Sequence, residues 1–307
     1  MNIVFFGSDN FGIPTLDKLK DISNLLIITE PDKHIGRGRS LKPLPTKSYA
    51  IQNNLKHIET ENCNDREVLD KIRSFNPDFI VVVSFGQMLN QELLDLPKYM
   101  TLNTHPSLLP AYRGAAPIQR AILNGETEIG VSIIKIAMKL DSGDIVSQRK
   151  IPLSDNDIYT EIHEKLAKLG AYLLIESINI IVKGNYTIQS QNNNSSSYAR
   201  KIKKEDYVLK LNKSACQVQR QINAFSKKPG ARIYYKGQII KIITSEITTE
   251  KKLNAYTLSA IDKKLYLGTN DYAIEVFEIQ PQGKGVIKGM DFINGYKINK
   301  AIKLEEV

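Results

Sequence analysis

The run Asn103-Thr-His105-Pro-Ser107-Leu-Leu-Pro110-Ala-Tyr-Arg113-Gly114-Ala-Ala-Pro117 sets a carboxamide and an imidazole two residues apart. Both can donate hydrogen bonds to an oxygen that turns negative in a tetrahedral intermediate. The pair therefore suits chemistry at a carbonyl carbon and needs no nucleophilic side chain. A second stretch, Leu140-Asp141-Ser142-Gly143-Asp144, places two carboxylates three residues apart beside a glycine. Turn formation alone would account for that pattern. If instead one carboxylate faces His105, it favours the imidazolium and helps the ring both give and take a proton. A single His is more often a tie between loop and backbone, and it is the surrounding residues that change this reading.

Those residues read Asn-x-His-x-Ser-Leu-Leu-Pro and then Tyr-Arg-Gly-Ala-Ala-Pro-Ile-Gln, with Leu140 to Asp144 as a second loop. Together with an N-terminal Phe6-Gly7-Ser8 and a basic loop near residue 37, they resemble the signature of the 10-formyltetrahydrofolate-dependent formyltransferases over nearly the whole chain. The resemblance implies transfer of a formyl group from 10-formyltetrahydrofolate to the α-amine of methionyl initiator tRNA, for translation initiation. It implies catalytic roles for Asn103, His105 and Asp141, with Asp144 left as the turn residue. Phe85, Gly86, Gln87, Met88 and Leu89 would line the folate pocket with Ser107, Leu108, Leu109 and Pro110. Lys33, Arg37, Arg39 and Lys42 would meet tRNA. No metal is expected, and the chain is expected to act as a monomer.

The elements that must position these residues follow from hydrophobic patterning. Tyr99 to Asn103 is an extended apolar run that delivers Asn103 and His105 to a sheet edge, and Ala115 to Leu123 has helical spacing. Pro106, Pro110 and Gly114 stiffen the path between them. Asn2 to Gly7, Asn24 to Thr29 and Asp78 to Ser84 read as further strands, the last a buried one. In open α/β sheets, ligands bind beyond such strand ends. The turn Gly7-Ser-Asp-Asn-Phe-Gly12 is a structural one: Asp9 occupies the middle glycine of the dinucleotide pattern, and no Gly-Lys-Ser/Thr follows. Ile129 to Lys135 and Asp144 to Gln148 are strands around the second loop. Ile158, Ile162, Leu166, Leu169 and Leu173 mark an amphipathic helix, with His163 on its solvated side.

The expected fold class is α/β: an open, doubly wound, mostly parallel sheet in an N-terminal domain, plus a small C-terminal OB-like β-barrel. Residues 1–188 form the catalytic domain in this reading, the polar stretch 189–206 a linker, and 207–307 the tRNA-binding barrel. Short strands around Ile233, Ile239, Tyr256, Leu265 and Ile274 follow a helix near Ala215 to Phe225. The chain has no Trp, and Tyr207 and Lys228 stand where members of the family often carry one.

Charge sharpens the division. Residues 207–307 hold 17 Lys and Arg against 9 Asp and Glu, a net +8, and the rest of the chain nets only +1. That bias suits a polyanion such as RNA. Within the rest, Glu30 to Lys47 is rich in Gly and Pro and carries five positive side chains; its glycine-flanked arginines suit phosphate. Cys63 and Cys216 lack metal-ligand spacing, and the four histidines form no ligand pair. The opening Met-Asn-Ile-Val-Phe-Phe lacks the basic start of a signal peptide, and no apolar run would span a bilayer, so a cytoplasmic address is expected.

Overall fold

The computed structural model describes residues 1–35 and 40–306. Its elements begin with β1 (Asn2–Gly7), α1 (Ile13–Leu19), β2 (Asn24–Thr29), β3 (Lys33–Ile35), β4 (Ser40–Lys42), α2 (Pro45–Gln52) and β5 (Lys56–Glu59). Next come α3 (Arg66–Phe75), β6 (Phe79–Val83), α4 (Gln91–Leu94), β7 (Met100–His105), α5 (Pro117–Asn124), β8 (Glu128–Lys135), β9 (Ile145–Pro152) and α6 (Tyr159–Val182). The remainder holds α7 (Ala215–Phe225), β10 (Ala231–Tyr235), β11 (Gln238–Thr248), β12 (Thr257–Ile261), β13 (Lys264–Gly268), β14 (Ala273–Pro281), β15 (Ile287–Lys288), α8 (Gly289–Tyr296) and β16 (Ile302–Lys303). Two compact units share them. The first gathers Met1–Gly114, Ile129–Ile151 and His163–Tyr198; the second gathers Ala115–Glu128, Pro152–Ile162 and the chain from Ala199 onward.

The first unit is built on a seven-stranded sheet ordered β5-β2-β1-β6-β7-β8-β9. The pairs from β5 through β7 are parallel, and β8 runs antiparallel to β7. Strands β1, β2 and β6 are almost continuously apolar and buried, as strands covered on both faces must be. From β1 the chain first builds towards β2 and β5, then returns to add β6 and β7 on the other side. The switch between β1 and β6 is where an open sheet leaves a crevice at its carboxyl edge. The register sets Gly7 beside Val83, and Val82 beside Asn103.

Local chemistry explains the ends of these strands. Asp9 caps a single 3-10 turn, Asn10–Gly12, by accepting from Phe11 N at 2.8 Å. Gly7 serves packing: a Cβ there would lie 2.5 Å from a Phe5 ring carbon and 2.9 Å from the Val83 carbonyl oxygen. Helix α6 lies close against the sheet at Gly170, where a Cβ would come within 2.7 Å of the Thr104 methyl group. His163 is not the solvated residue its position on the helix suggested. It is half-buried, edge-on to Phe11 at 5.2 Å between ring centres, and burial pushes its pKa below the usual imidazole value.

The second unit is an antiparallel half-barrel ordered β10-β11-β14-β13-β12-β16, with β15 on β14. A backbone bond from Glu305 N to the Tyr234 carbonyl, 3.0 Å, brings the end of the chain back to β10. Its core is mostly aliphatic, around Ile222, Ile242, Leu258 and Ile274, with the Phe292 ring among them. Tyr207 packs into this unit, edge-on to Phe225 at 5.0 Å and under the Arg232 guanidinium at 5.0 Å. Helix α5 belongs here too. Burial pushes Asp206 up, but the Arg120 guanidinium on α5 (2.7 Å) and the Lys203 N–H outweigh it and hold the carboxyl below its usual range. No helix among the described residues is long and apolar enough to cross a membrane.

Candidate active site

Strand β7 runs two residues further than its apolar pattern and carries both Asn103 and His105. Residues i and i+2 of a strand share a face, so the carboxamide and the imidazole project to the same side. His105 is buried, and its Nε2 lies 2.8 Å from the carbonyl oxygen of Tyr112. A carbonyl only accepts, so Nε2 carries the proton and Nδ1 is left to act. Nδ1 stands 3.7 Å from Oδ2 of Asp141. That is beyond a hydrogen bond and leaves Nδ1 close to the carboxylate without being committed to it.

Asp141 reaches this place through a strained turn. Its φ is +47°, in the left-handed region, and Gly143 is pressed so close to β8 that a Cβ would sit 1.7 Å from the Lys135 carbonyl oxygen. Oδ1 of Asp141 accepts from Asn103 Nδ2 at 3.3 Å, and Oδ2 accepts from Gly114 N at 2.8 Å. Asn103, His105 and Asp141 therefore converge from segments some 38 residues apart. Asp144 points elsewhere, and its Oδ1 accepts from the Ser190 hydroxyl at 2.9 Å.

The loop after β7 is held by neutral groups. Ser107 is buried, and its hydroxyl donates to the Ala111 carbonyl at 2.7 Å. The Ser132 hydroxyl donates to the Ser107 carbonyl at 2.6 Å and accepts from Leu109 N at 3.1 Å. Gln148 donates to the Leu109 carbonyl at 2.7 Å, and the Leu109-Pro110 peptide is cis. Leu109 packs with Ile134 and Ile145, and Leu108 and Pro110 are half-buried. Ser132 is a polar residue inside the apolar run of β8, a signal by which sequence could have found it, whereas Gln148 lies in the polar stretch Ser147 to Lys150 of β9 and carries no such signal.

At the end of β6 the expected folate-lining residues divide. Phe85 packs edge-on to Phe6 at 5.2 Å and Leu89 is buried, so both lean on the core. Gln87 is occupied as a brace, accepting from Cys63 N at 2.7 Å and donating to the Thr60 carbonyl at 2.9 Å. Met88 is exposed, as is Gly86, where a Cβ would lie 3.0 Å from Oε1 of Glu30. The bare Gly86 backbone thus borders a carboxylate at the carboxyl edge of the sheet.

Of the four basic residues, Lys33 and Lys42 are exposed and stand opposite each other in the β3–β4 ribbon. Lys33 pairs with Glu30 at 3.1 Å. Arg37 and Arg39 lie outside the described residues. Among those described, no three His, Cys, Asp or Glu side chains gather in a way that would hold a metal ion.

A doubly wound sheet whose carboxyl edge presents an amide, an imidazole and a carboxylate defines a class. Residues 1–178 match the formyl transferase family and residues 201–297 match its C-terminal domain, and the chain belongs to that family. Over 300 residues it is 34% identical to the methionyl-tRNA formyltransferase of Fusobacterium nucleatum subsp. nucleatum, covering 96% of this chain and 97% of that one. Its fold is similar to HypX from Aquifex aeolicus in complex with tetrahydrofolic acid, with TM-score 0.68, 16% identity, and coverage of 98% of this chain and 48% of that one. It is also similar to the N-formyltransferase from Helicobacter canadensis in complex with folinic acid and dTDP-3-aminofucose. There the TM-score is 0.66 and the identity 23%, over 92% of this chain and 99% of that one.

Proposed function

We propose that this chain transfers the formyl group of 10-formyltetrahydrofolate to the α-amine of methionine carried on initiator tRNA, working in the cytoplasm as a monomer. The observation that carries this reading is the meeting of Asn103, His105 and Asp141 at the carboxyl edge of the sheet. The relatives' shared name supports the choice of acceptor.

Each residue has a distinct task in this reading. The neutral amine attacks the formyl carbon, and charge gathers on the formyl oxygen. Asn103 Nδ2 and the Nδ1–H of a doubly protonated His105, whose Nε2–H stays on the Tyr112 carbonyl, donate to that oxygen, in a buried setting where such bonds count for more than in water. Asp141 holds the Asn103 amide through Oδ1, sets Oδ2 beside His105 Nδ1, and accepts the proton shed by the amine, directly or through water. The folate nitrogen leaves as the carbonyl re-forms and takes up a proton in turn. Phe85, Gly86, Gln87, Met88, Leu89, Ser107, Leu108, Leu109 and Pro110 border the folate. Glu30 beside Gly86 is an acceptor suited to the N–H groups of a pterin edge. Lys33, Arg37, Arg39 and Lys42 meet the tRNA backbone with the basic second unit.

The test is formyl incorporation from 10-formyltetrahydrofolate into methionyl-tRNA, set against free methionine, an amino sugar nucleotide and no acceptor. Transfer to methionyl-tRNA alone is expected. Equal transfer to small amines would give the chain a different acceptor, and formate release without acceptor would make it a hydrolase.

A further inference from the structure

Residues 189–198 contain no carboxylate, imidazole, amine or thiol, and they lie between the two segments that match the family. They nevertheless bond to both loops of the centre. Gln189 pairs its backbone with Ile145 at 2.8 and 2.9 Å. Ser197 accepts from Tyr112 N through its hydroxyl at 2.9 Å and from Arg113 N through its carbonyl at 2.9 Å. Between these ends, Gln191 touches both loops with one side chain.

Its carboxamide can be oriented without ambiguity. Oε1 faces the Nε and Nη2 of Arg113 at 3.0 and 2.7 Å, and a guanidinium only donates. Nε2 faces the carbonyl oxygens of Asp141 at 2.9 Å and Gly143 at 2.7 Å, which only accept. Arg113 is fully buried, and Nη2 also donates to Asn193 Oδ1 at 3.0 Å. One amide thus bridges the two ends of the turn that presents the Asp141 carboxylate, from an anchor that cannot move into solvent.

We infer that Gln191 is a positioning residue for Asp141, with Arg113 as its anchor; the inference rests on Asp141 belonging to the catalytic centre. The turn's other backbone bonds, Ser142 N to the Lys139 carbonyl at 3.2 Å and Lys135 N to the Asp144 carbonyl at 2.9 Å, involve neither the Asp141 nor the Gly143 carbonyl that Gln191 meets. Asp141 sits at a left-handed φ, and the separation from His105 Nδ1 is already 3.7 Å. A displacement of about 1 Å at a reacting centre can cost about 100-fold in rate. A carboxamide suits the place because its oxygen can accept from the guanidinium while its NH2 group donates to two carbonyls at once. A glutamate would keep Arg113, as an ion pair, and would turn two attractive contacts with the turn into repulsive ones.

The experiment compares wild type, Gln191→Glu and Asn193→Ala. It measures kcat, KM for both substrates, the pH–rate profile, the unfolding midpoint, and amide hydrogen exchange over residues 141–145. Gln191→Glu is expected to lower kcat by about 10- to 100-fold, with KM little changed and the pH profile displaced. Exchange over 141–145 should quicken while the unfolding midpoint stays near that of wild type. Asn193→Ala, which removes one acceptor of Arg113 but leaves both of its bonds to Gln191 in place, should leave kcat near wild type. If Gln191→Glu unfolds, Gln191→Met, similar in length but without donors, is measured in the same way. Wild-type kcat and pH profile in the glutamate or methionine variant would overturn the inference, as would an equal loss in Asn193→Ala. Should the wild type fail to formylate methionyl-tRNA at all, the functional reading falls. The exchange rates would still decide whether Gln191 holds the turn.

Discussion

The loop from His105 to Gly114 and the stretch from Glu30 to Lys47 both leave the carboxyl ends of strands in the first unit, and opposite means hold them. The first is buried or half-buried and tied mostly by neutral groups: Ser107, Ser132 and Gln148 satisfy much of its backbone, and at its far end the Asp141 carboxylate takes Gly114 N beside a fully enclosed Arg113. The described part of the second is exposed at Ser40, Leu41 and Lys42, and ion pairs fasten it at its roots. Lys33 meets Glu30 at 3.1 Å, and Lys47 meets Asp32 at 2.8 Å and Glu59 at 2.9 Å. Neutral bonds in a dry setting are strong and indifferent to salt, whereas an exposed pair such as Lys33 with Glu30 is weak and screened, and the half-buried Lys47 pairs lie between the two. Geometry that must be exact to fractions of an ångström is kept by the first kind. In the proposed function, charge that meets the tRNA backbone is left to the second.

The largest effect should come from the catalytic side of this contrast. His105→Ala removes a donor and should lower kcat by about 100- to 1,000-fold, with tRNA binding, followed by filter retention, nearly intact. Equal loss of both would make His105 a scaffold residue. The next largest should be structural. Gly170→Ala drives a methyl towards Thr104, which lies between Asn103 and His105. It should cost about 1–3 kcal/mol in denaturant unfolding, and kcat should fall with it. Gly295 in α8 has open space around it, so Gly295→Ala should instead raise stability by up to about 1 kcal/mol.

The charged stretch should respond differently. Replacing Arg37, Arg39 and Lys42 with Ala should raise KM for tRNA by about 10-fold and reduce the salt slope of binding by about 0.7–0.9 for each phosphate no longer neutralised. The rate at saturating tRNA should hold. An unchanged slope would leave these residues as surface only. The smallest effect should be at His163. Burial lowers its pKa from 6.5, with Asp9 and Glu164 partly restoring it, so the unfolded chain binds its proton more readily. Stability should therefore fall as pH drops from 6.5 towards the lowered folded value. Gln at position 163 should flatten that fall in a series of thermal melts.

Much of the centre is legible in the chain because the information is local. Asn103 and His105 stand two apart at a strand end, and Asp141 lies in a turn of recognisable composition. The bonding partners cannot be read in the same way. Gln191 belongs to a polar run with no periodicity, and its partners are 48 to 78 residues distant. His163 reads as solvated because helical spacing says which face a residue occupies, and Phe11 comes to that face from another part of the chain. Helices α2 and α8 and strand β5 do not stand out in the sequence for a related reason. They are short, and tertiary packing rather than pattern gives them their form.

The bonds of Gln191 and Ser197 have a consequence for biosynthesis. The first unit is assembled from three separate lengths of chain, the last of which ends at Tyr198. A ribosome that has released the residues up to Asp141 has supplied every reacting group, but not the amide that steadies the turn. The nascent enzyme must wait for some fifty further residues before its centre can set.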